Sequence, residues 1–217
     1  EKTNYSTYLK FRQSDYQKLP PAVKGIVDDL NSARFLAFLE KMTGISGLIS
    51  DPLLEGGGIH RIGSGGYLKV HTDFNYHRVL KPQRRLNLLL YINKDWKHEW
   101  GGQIELWDKD MVSQKAQYSP DWGRIVVFST TDESYHGHPD PLSCPEDVLR
   151  NSIALYYYTA DRPEDEAKFG NSEMTNYRTR PGETFKASGQ ATHFLHQLEI
   201  KYPKLRAISQ RLRKRND

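Results

Sequence analysis

The sequence has a single cysteine, Cys144, among its 217 residues. One cysteine cannot form a disulfide within the chain, and it excludes a zinc site built from several thiolates. No apolar run approaches the roughly 18 residues that a membrane-spanning helix needs, and no apolar stretch follows Glu1 as in a secretory signal. We therefore expect a cytoplasmic protein with a reduced thiol.

Net charge is almost absent from most of the chain, although the total is +4. Residues 201–217 hold seven basic residues and one acid, Asp217, so the other 200 residues carry a slight excess of acids. A basic terminus can contact nucleic acid or a membrane surface. A solvated helix end is the simpler interpretation, and we expect neither partner.

Aromatic residues make up 12% of the chain, which favours an ordered core over disorder. Residues 1–55 show helical spacing: Pro20-Pro21 can open one helix, Asn31-Ser32 can cap a second, Gly44 suits its C-terminal end, and Ile45–Leu54 read as a short connector. Residues 161–217 read as a loop followed by helices over Thr192–Ile200 and Pro203–Leu212. Between them, residues 56–160 predict a β core, and the whole chain, residues 1–217, is expected to form one domain. Six strands are predicted, at Ile59–Ile62, Tyr67–Asp73, Leu86–Ile92, Gln103–Trp107, Ile125–Phe128 and Ile153–Tyr158.

The pair His71 and Asp73 is the first chemical signal. Residues i and i+2 of a strand share one face, so an imidazole and a carboxylate would converge there. A divalent metal with a third ligand from elsewhere suits such a pair. By itself the pair is a weak signal, because surface His-x-Asp sequences are common.

A later histidine and an arginine strengthen that signal. His136 follows the strand Ile125–Phe128, and His138 competes with it as a third ligand. Arg150 opens an apolar strand, where its planar guanidinium needs an anionic partner. That partner is either a ligand carboxylate or a local acid such as Glu146 or Asp147.

Taken in order, these residues resemble the Fe(II)- and 2-oxoglutarate-dependent oxygenases, and most closely the prolyl 4-hydroxylase-like branch of that superfamily. The likeness spans about Ile59 to Tyr158. Its parts are Gly63–Tyr67, His71–Asp73, Arg85–Trp96, Gly101–Leu106, Ile125–Phe128, His136 and Arg150. The segment between His136 and Arg150 is longer than is usual for the family.

The resemblance implies a mainly β fold with flanking helices around a double-stranded β-helix, a cupin-like jelly roll. It implies that His71, Asp73 and His136 bind Fe(II), and that Arg150 and Tyr91 bind the distal carboxylate of the cosubstrate 2-oxoglutarate. The reaction consumes O2 and releases succinate and CO2, with ascorbate as an optional reductant.

Five further residues match positions near substrate or cosubstrate in that branch. For each of them ordinary packing or solvation is an equally good interpretation. They are Tyr67, Tyr156, Arg85, His60 and His138.

The resemblance predicts hydroxylation of an unactivated C–H bond, in a prolyl or other residue of a peptide or protein. A free amino acid or a natural-product small molecule is the alternative substrate. A protein of another class, a non-catalytic β-barrel that binds a ligand or RNA, would leave 2-oxoglutarate unconsumed.

Overall fold

The computed structural model describes residues 7–77, 79–80, 82–164, 166 and 175–183. Within these residues there are ten strands and two α-helices. The helices are α1 (Pro21–Leu30) and α2 (Ala33–Thr43). The strands are β1 (Thr7–Gln13), β2 (Ile49–Ser50), β3 (Gly58–Thr72), β4 (Gln83–Tyr91), β5 (Ile104–Trp107), β6 (Gln114–Tyr118), β7 (Ile125–Ser129), β8 (His136–His138), β9 (Arg150–Thr159) and β10 (Asn176–Tyr177).

The two helices begin and end where the sequence predicts. Pro21 is the first residue of α1, where its fixed φ suits the helix and its missing N–H costs nothing. The Ser32 side chain accepts a hydrogen bond from the Phe35 amide and caps α2. Gly44 ends α2 in the left-handed conformation, at φ 73°.

The expectation that residues 1–55 are helical is wrong at its start, and the predicted connector contains a short strand. Residues 7–13 form β1, which pairs antiparallel with β3, and Ile49–Ser50 form the short strand β2, which pairs with β9. Leu9, Lys10, Phe11 and Arg12 alternate apolar and polar side chains, which is a short strand signal, whereas the two residues of β2 carry no pattern of their own. Each is extended because a neighbouring strand offers it unpaired backbone groups, which is a tertiary effect.

All strand pairs are antiparallel, and the strands follow the order β6-β5-β8-β3-β9-β4-β7. The long strand β3 links two groups of strands. Its first half pairs with β9 and its second half with β8. The result is the mainly β, barrel-like fold that the sequence predicts. Besides β1 and β2, the strands β6, β8 and β10 are not among those predicted, and β10 lies in the segment expected to be a loop. The predicted strands Ile59–Ile62 and Tyr67–Asp73 are joined in the one strand β3, which ends at Thr72.

The alternation of side chains on β4 and β9 assigns the two faces of this sheet. Leu86 and Leu88 on β4 and Leu155 and Tyr157 on β9 pack in one core with the helices. The intervening residues, such as Asn87 and Tyr156, face the other side and line a cavity. The helices therefore cover the outer face of the sheet and leave the inner face for the site.

By compactness the chain divides into residues 1–181 and 182–217. Every element above belongs to the first unit, and the helices predicted at 192–200 and 203–212 lie outside the described residues. A single domain over 1–217 stays a prediction. In the described part of the chain, no helix is both long and apolar enough to cross a membrane.

Candidate active site

One cavity between the strands is lined by most of the candidate site residues that the sequence predicts. The residues that line it come from β1, β3, β4, β5, β7, β8 and β9 and from the segment after β3. They are Lys10, His60, Ile62, Leu68, His71, Asp73, Asn87, Leu89, Ile104, Phe128, His136, Gly137, His138, Arg150, Ser152 and Tyr156.

His71, Asp73 and His136 meet inside this cavity. Nε2 of His71 lies 3.5 Å from one Asp73 oxygen, and Nε2 of His136 lies 3.3 Å from the other. One ligand atom from each residue lies within 4.8 Å of the other two, which fits a shared metal ion. His138 is not part of this group, so the geometry favours His136 as the third ligand.

Each imidazole of the triad is oriented by a backbone carbonyl. Nδ1 of His71 donates to the Lys69 carbonyl at 2.8 Å, and Nδ1 of His136 donates to the Ser134 carbonyl at 3.0 Å. The proton is thereby held on Nδ1, and Nε2 keeps a lone pair directed at the centre of the group. Burial, followed by the nearby His136, lowers the pKa of His71, so its neutral, metal-binding form is favoured.

Asp73 is held by two buried neighbours that the sequence reasoning missed. Its Oδ2 accepts hydrogen bonds from Arg84 at 2.9 Å and from the Asn87 amide at 2.7 Å. Burial alone would raise the pKa of Asp73, but the charge of Arg84 and the two imidazoles hold that pKa well below its usual value. The carboxylate is therefore ionised and fixed in position.

The side chain of Arg84 points towards the triad, whereas the side chain of Arg85 points to the other side of β4. A register shift between Arg84 and Leu86 interrupts the alternation of β4. Arg84 is 0% exposed and its guanidinium carbon lies 3.3 Å from the Tyr156 ring centre. Arg85 points away from the cavity to Thr159 and Glu166, so it is not where a substrate contact would be expected. The polar Asn87 inside an apolar run was the available signal.

Arg150 and Tyr91 lie together at the other end of the site. Arg150 is 4% exposed, and it donates to the Gly102 carbonyl at 2.8 Å and to the Tyr91 hydroxyl at 3.2 Å. Among the described residues it forms no ion pair with an acid, so Glu146 and Asp147 are not its partners. This buried guanidinium lines the cavity and has no carboxylate partner among the described residues. It can therefore bind a carboxylate of a ligand.

The remaining predicted residues are divided between the cavity and its surroundings. His60, His138 and Tyr156 line the cavity. Nε2 of His60 donates to the Gly56 carbonyl at 3.0 Å, and the Tyr156 hydroxyl donates to the same oxygen at 3.0 Å. Neither ring nitrogen of the buried His138 has a hydrogen-bond partner in the described part of the protein.

Tyr67 is not among the lining residues, because β3 is irregular between Leu68 and His71. The shift breaks the alternation that would have placed Tyr67 beside His71, and Leu68 takes the inward position. Tyr67 instead stacks on Tyr8, with ring centres 6.1 Å apart. A further lining residue, Lys10 on β1, was not predicted, since residues 7–13 were not expected to be a strand.

Residues 57–158 match the sequence model of the 2OG-Fe(II) oxygenase superfamily. This segment contains the whole triad, Tyr91 and Arg150. The match assigns this segment, residues 57–158, to the 2OG-Fe(II) oxygenase superfamily. Fe(II) and 2-oxoglutarate are therefore its cofactors, and its residues suit both. Two imidazoles and a carboxylate suit the metal, and a buried guanidinium that forms no ion pair among the described residues suits a carboxylate of the cosubstrate.

Individual proteins are also similar to this oxygenase domain. The prolyl 3-hydroxylase OGFOD1 of Mus musculus is 26% identical over 158 residues, which are 71% of this chain and 27% of the relative. The chain thus spans about a quarter of that relative's length.

Two solved structures are similar as well. One is a prolyl 4-hydroxylase of Phytophthora capsici, at 21% identity and TM-score 0.48, covering 69% of this chain and 47% of that one. The other is HygX of Streptomyces hygroscopicus with nickel, 2-oxoglutarate and hygromycin B bound, at 14% identity and TM-score 0.46, covering 79% and 81%.

Proposed function

We propose that this protein is a hydroxylase that acts on a prolyl or other amino-acid residue of a peptide or protein, with release of succinate and CO2. The observation that carries the proposal is that one cavity is lined both by the candidate metal-binding triad and by Arg150, which forms no ion pair with an acid among the described residues. Support for an amino-acid substrate comes from the similarity to a prolyl 3-hydroxylase.

Each group in the cavity has a defined task in this reaction. When bound, Fe(II) and 2-oxoglutarate supply the oxidising chemistry that breaks a C–H bond. His71, Asp73 and His136 would hold the metal ion through two imidazole nitrogens and a carboxylate oxygen. Arg150 and Tyr91, which are hydrogen-bonded to each other, would bind a carboxylate of the cosubstrate by charge-assisted hydrogen bonds. Arg84 and Asn87 keep Asp73 ionised and aligned.

Mass spectrometry of candidate substrates tests this proposal. Proline-containing peptides are incubated with the enzyme, Fe(II), 2-oxoglutarate and ascorbate, and we expect a product with one added oxygen atom together with an equal amount of succinate. Asp73→Ala should remove both signals. His98→Ala, which changes an exposed histidine outside the cavity, should retain them.

Other results of the same assay select the alternatives. Oxidation of a free amino acid or a small molecule, but of no peptide, would contradict the proposed substrate class. A protein that binds metal and forms no succinate under any condition would be a non-catalytic ligand-binding module, and the proposed activity would be wrong.

A further inference from the structure

Lys10 reaches the cavity from the outer strand β1, which pairs with β3. In this pairing Lys10 lies opposite Ile62, and Ile62 lies opposite Arg150 on β9. Paired residues of neighbouring strands point to the same face, so Lys10 and Arg150 flank Ile62 on the inner side. Arg12, two residues along, lies opposite His60 and shares that face, but its side chain is exposed.

A local irregularity gives Lys10 this direction. The register of β1 against β3 shifts between Tyr8 and Lys10, and Leu9 between them has a φ of 47°. A bulky residue at positive φ is uncommon and is maintained only where the surroundings stabilise it. The shift turns an ammonium group towards the cavity.

Lys10 lacks a partner there. The residue is half-buried, and among the described residues its ammonium group forms no ion pair or hydrogen bond. Burial lowers the pKa of Lys10 to about 8, and the charges of Arg12 and Arg150 contribute, whereas Asp73 opposes the change. Asp73, the one acid among the described residues that line the cavity, already interacts with Arg84, Asn87 and the two imidazoles.

The cofactors leave this positive charge unmatched. 2-Oxoglutarate has two carboxylates, and the metal centre and the Arg150–Tyr91 pair provide for both. Lys10, with Arg12 at the rim, is then a surplus of cationic groups in a partly desolvated site. A like-charged cluster of this kind is unfavourable until an anion binds.

We propose that Lys10, assisted by Arg12, binds a carboxylate of the substrate itself. The inference rests on the proposed function and narrows it: the residue that is hydroxylated carries a free α-carboxylate or lies next to an acidic side chain. Lys10 is then a specificity-determining residue that contacts the substrate.

The rate at which the Lys10 amine is acylated shows whether a ligand covers that amine. The measurement needs no turnover of substrate. A lysine with a lowered pKa is partly unprotonated at neutral pH, so trace acetic anhydride labels it faster than ordinary surface lysines, and peptide mass spectrometry reads the extent. The protein is loaded with Mn(II) and saturating 2-oxoglutarate. Two matched pairs of probes are then added: N-acetylproline with N-acetylprolinamide, and N-acetyl-prolyl-glutamic acid amide with its glutamine counterpart.

We expect the acidic member of one pair to slow the labelling of Lys10 about tenfold when saturating, because a charge-assisted contact blocks the amine. The neutral member should have little effect. Protection by N-acetylproline would identify an α-carboxylate as the source, and protection by the glutamic acid peptide would identify a side-chain carboxylate.

Variants provide the second measurement. Lys10→Met should raise the apparent KM of the acidic substrate about tenfold, and Lys10→Arg should recover most of that loss. The Kd of 2-oxoglutarate should stay within about twofold of wild type in both variants. Arg61→Met is the matched control. Arg61 is exposed on β3 between two inward-facing residues, so this substitution removes the same charge from the opposite face of the sheet.

Three results would overturn the inference. The first is protection of Lys10 by 2-oxoglutarate alone with a weakened 2-oxoglutarate Kd in Lys10→Met, which would make Lys10 a cosubstrate contact. The second is equal protection by acidic and neutral probes, and the third is no protection by any probe. Failure of the proposed function is separate: without succinate formation, selective protection by acidic probes would still establish the carboxylate contact.

Discussion

At the scale of single residues, the adjacent arginines Arg84 and Arg85 have different tasks. Arg84 donates to the Asp73 carboxylate and stacks on Tyr156, and Asn87 accepts from its Nε at 2.7 Å. Arg85 lies on the outer side of β4, where it forms an ion pair with Glu166. Because partners behind a metal ligand set its orientation and charge, only Arg84 should influence metal affinity.

We predict that Arg84→Met weakens Mn(II) binding by about 10- to 100-fold, because Asp73 loses its buried cationic partner. Arg85→Met removes the same charge from the next residue and should leave the affinity nearly unchanged. Titration of Mn(II) followed by electron paramagnetic resonance measures both. Equal losses in the two variants would point to general destabilisation and not to positioning of Asp73.

A second residue-scale prediction concerns the cosubstrate. Arg150→Met should weaken 2-oxoglutarate binding by about 2–5 kcal/mol, because a buried charge pair loses one partner. Tyr91→Phe, which removes one hydrogen-bonding hydroxyl, should cost about 1 kcal/mol. Calorimetry with Mn(II)-loaded protein measures these values.

The control for the cosubstrate prediction is Arg124→Met, which breaks a partly exposed ion pair with Asp121 and leaves the Arg150–Tyr91 hydrogen bond in place. It should bind 2-oxoglutarate as wild type does. Wild-type binding by Arg150→Met would exclude the assigned role of Arg150.

At the scale of elements, the turn before β5 fixes the position of Arg150. The Gly102 carbonyl accepts from Nε of Arg150, and Gly102 has a φ of 76°. A Cβ on Gly102 would lie 2.7 Å from Leu142 Cδ2 and 2.9 Å from Arg150 Cδ. Its neighbour Gly101 has a similar φ of 75°, but a Cβ there would meet no atom within 4 Å.

Alanine at these two glycines therefore separates backbone strain from a steric effect on Arg150. Both substitutions should lower the melting temperature, because both place a side chain at positive φ. Only Gly102→Ala should also raise the 2-oxoglutarate Kd, by about tenfold, since it displaces the guanidinium. Thermal unfolding and calorimetry provide the two readouts, and a matching change of Kd in Gly101→Ala would contradict this interpretation.

At the scale of the whole molecule, the site is contained in one part of the chain. The lining residues of the cavity lie between Lys10 and Tyr156.

We accordingly expect a chain that lacks residues 204–217 to keep its Mn(II) and 2-oxoglutarate affinities within about twofold of the full chain. Calorimetry on both chains measures this, and succinate formation from 2-oxoglutarate is compared at the same time. A large loss of either affinity or turnover would assign a task to the basic terminus.

Most of the site was predictable because its ligands belong to short, local patterns. His71 and Asp73 are separated by one residue, and His136 and Arg150 adjoin strongly apolar or aromatic strands. Lys10, Arg84 and Asn87 were missed because their positions depend on the pairing of β1 with β3 and on a register shift in β4. Neither the pairing of β1 with β3 nor the register shift in β4 can be read from the sequence alone.

The sequence by itself determined the β core and the two N-terminal helices with their caps, and its resemblance to the oxygenase superfamily indicated the candidate metal-binding and cosubstrate-binding residues. Only the tertiary structure decided which side of each strand faces the cavity, because bulges in β3 and β4 reverse the alternation locally. These reversals exclude Tyr67 and Arg85 from the cavity, and the pairing of β1 with β3 adds Lys10. Strand pairing brings together residues that are distant in the chain, so the charge balance of the cavity exists only in the folded protein.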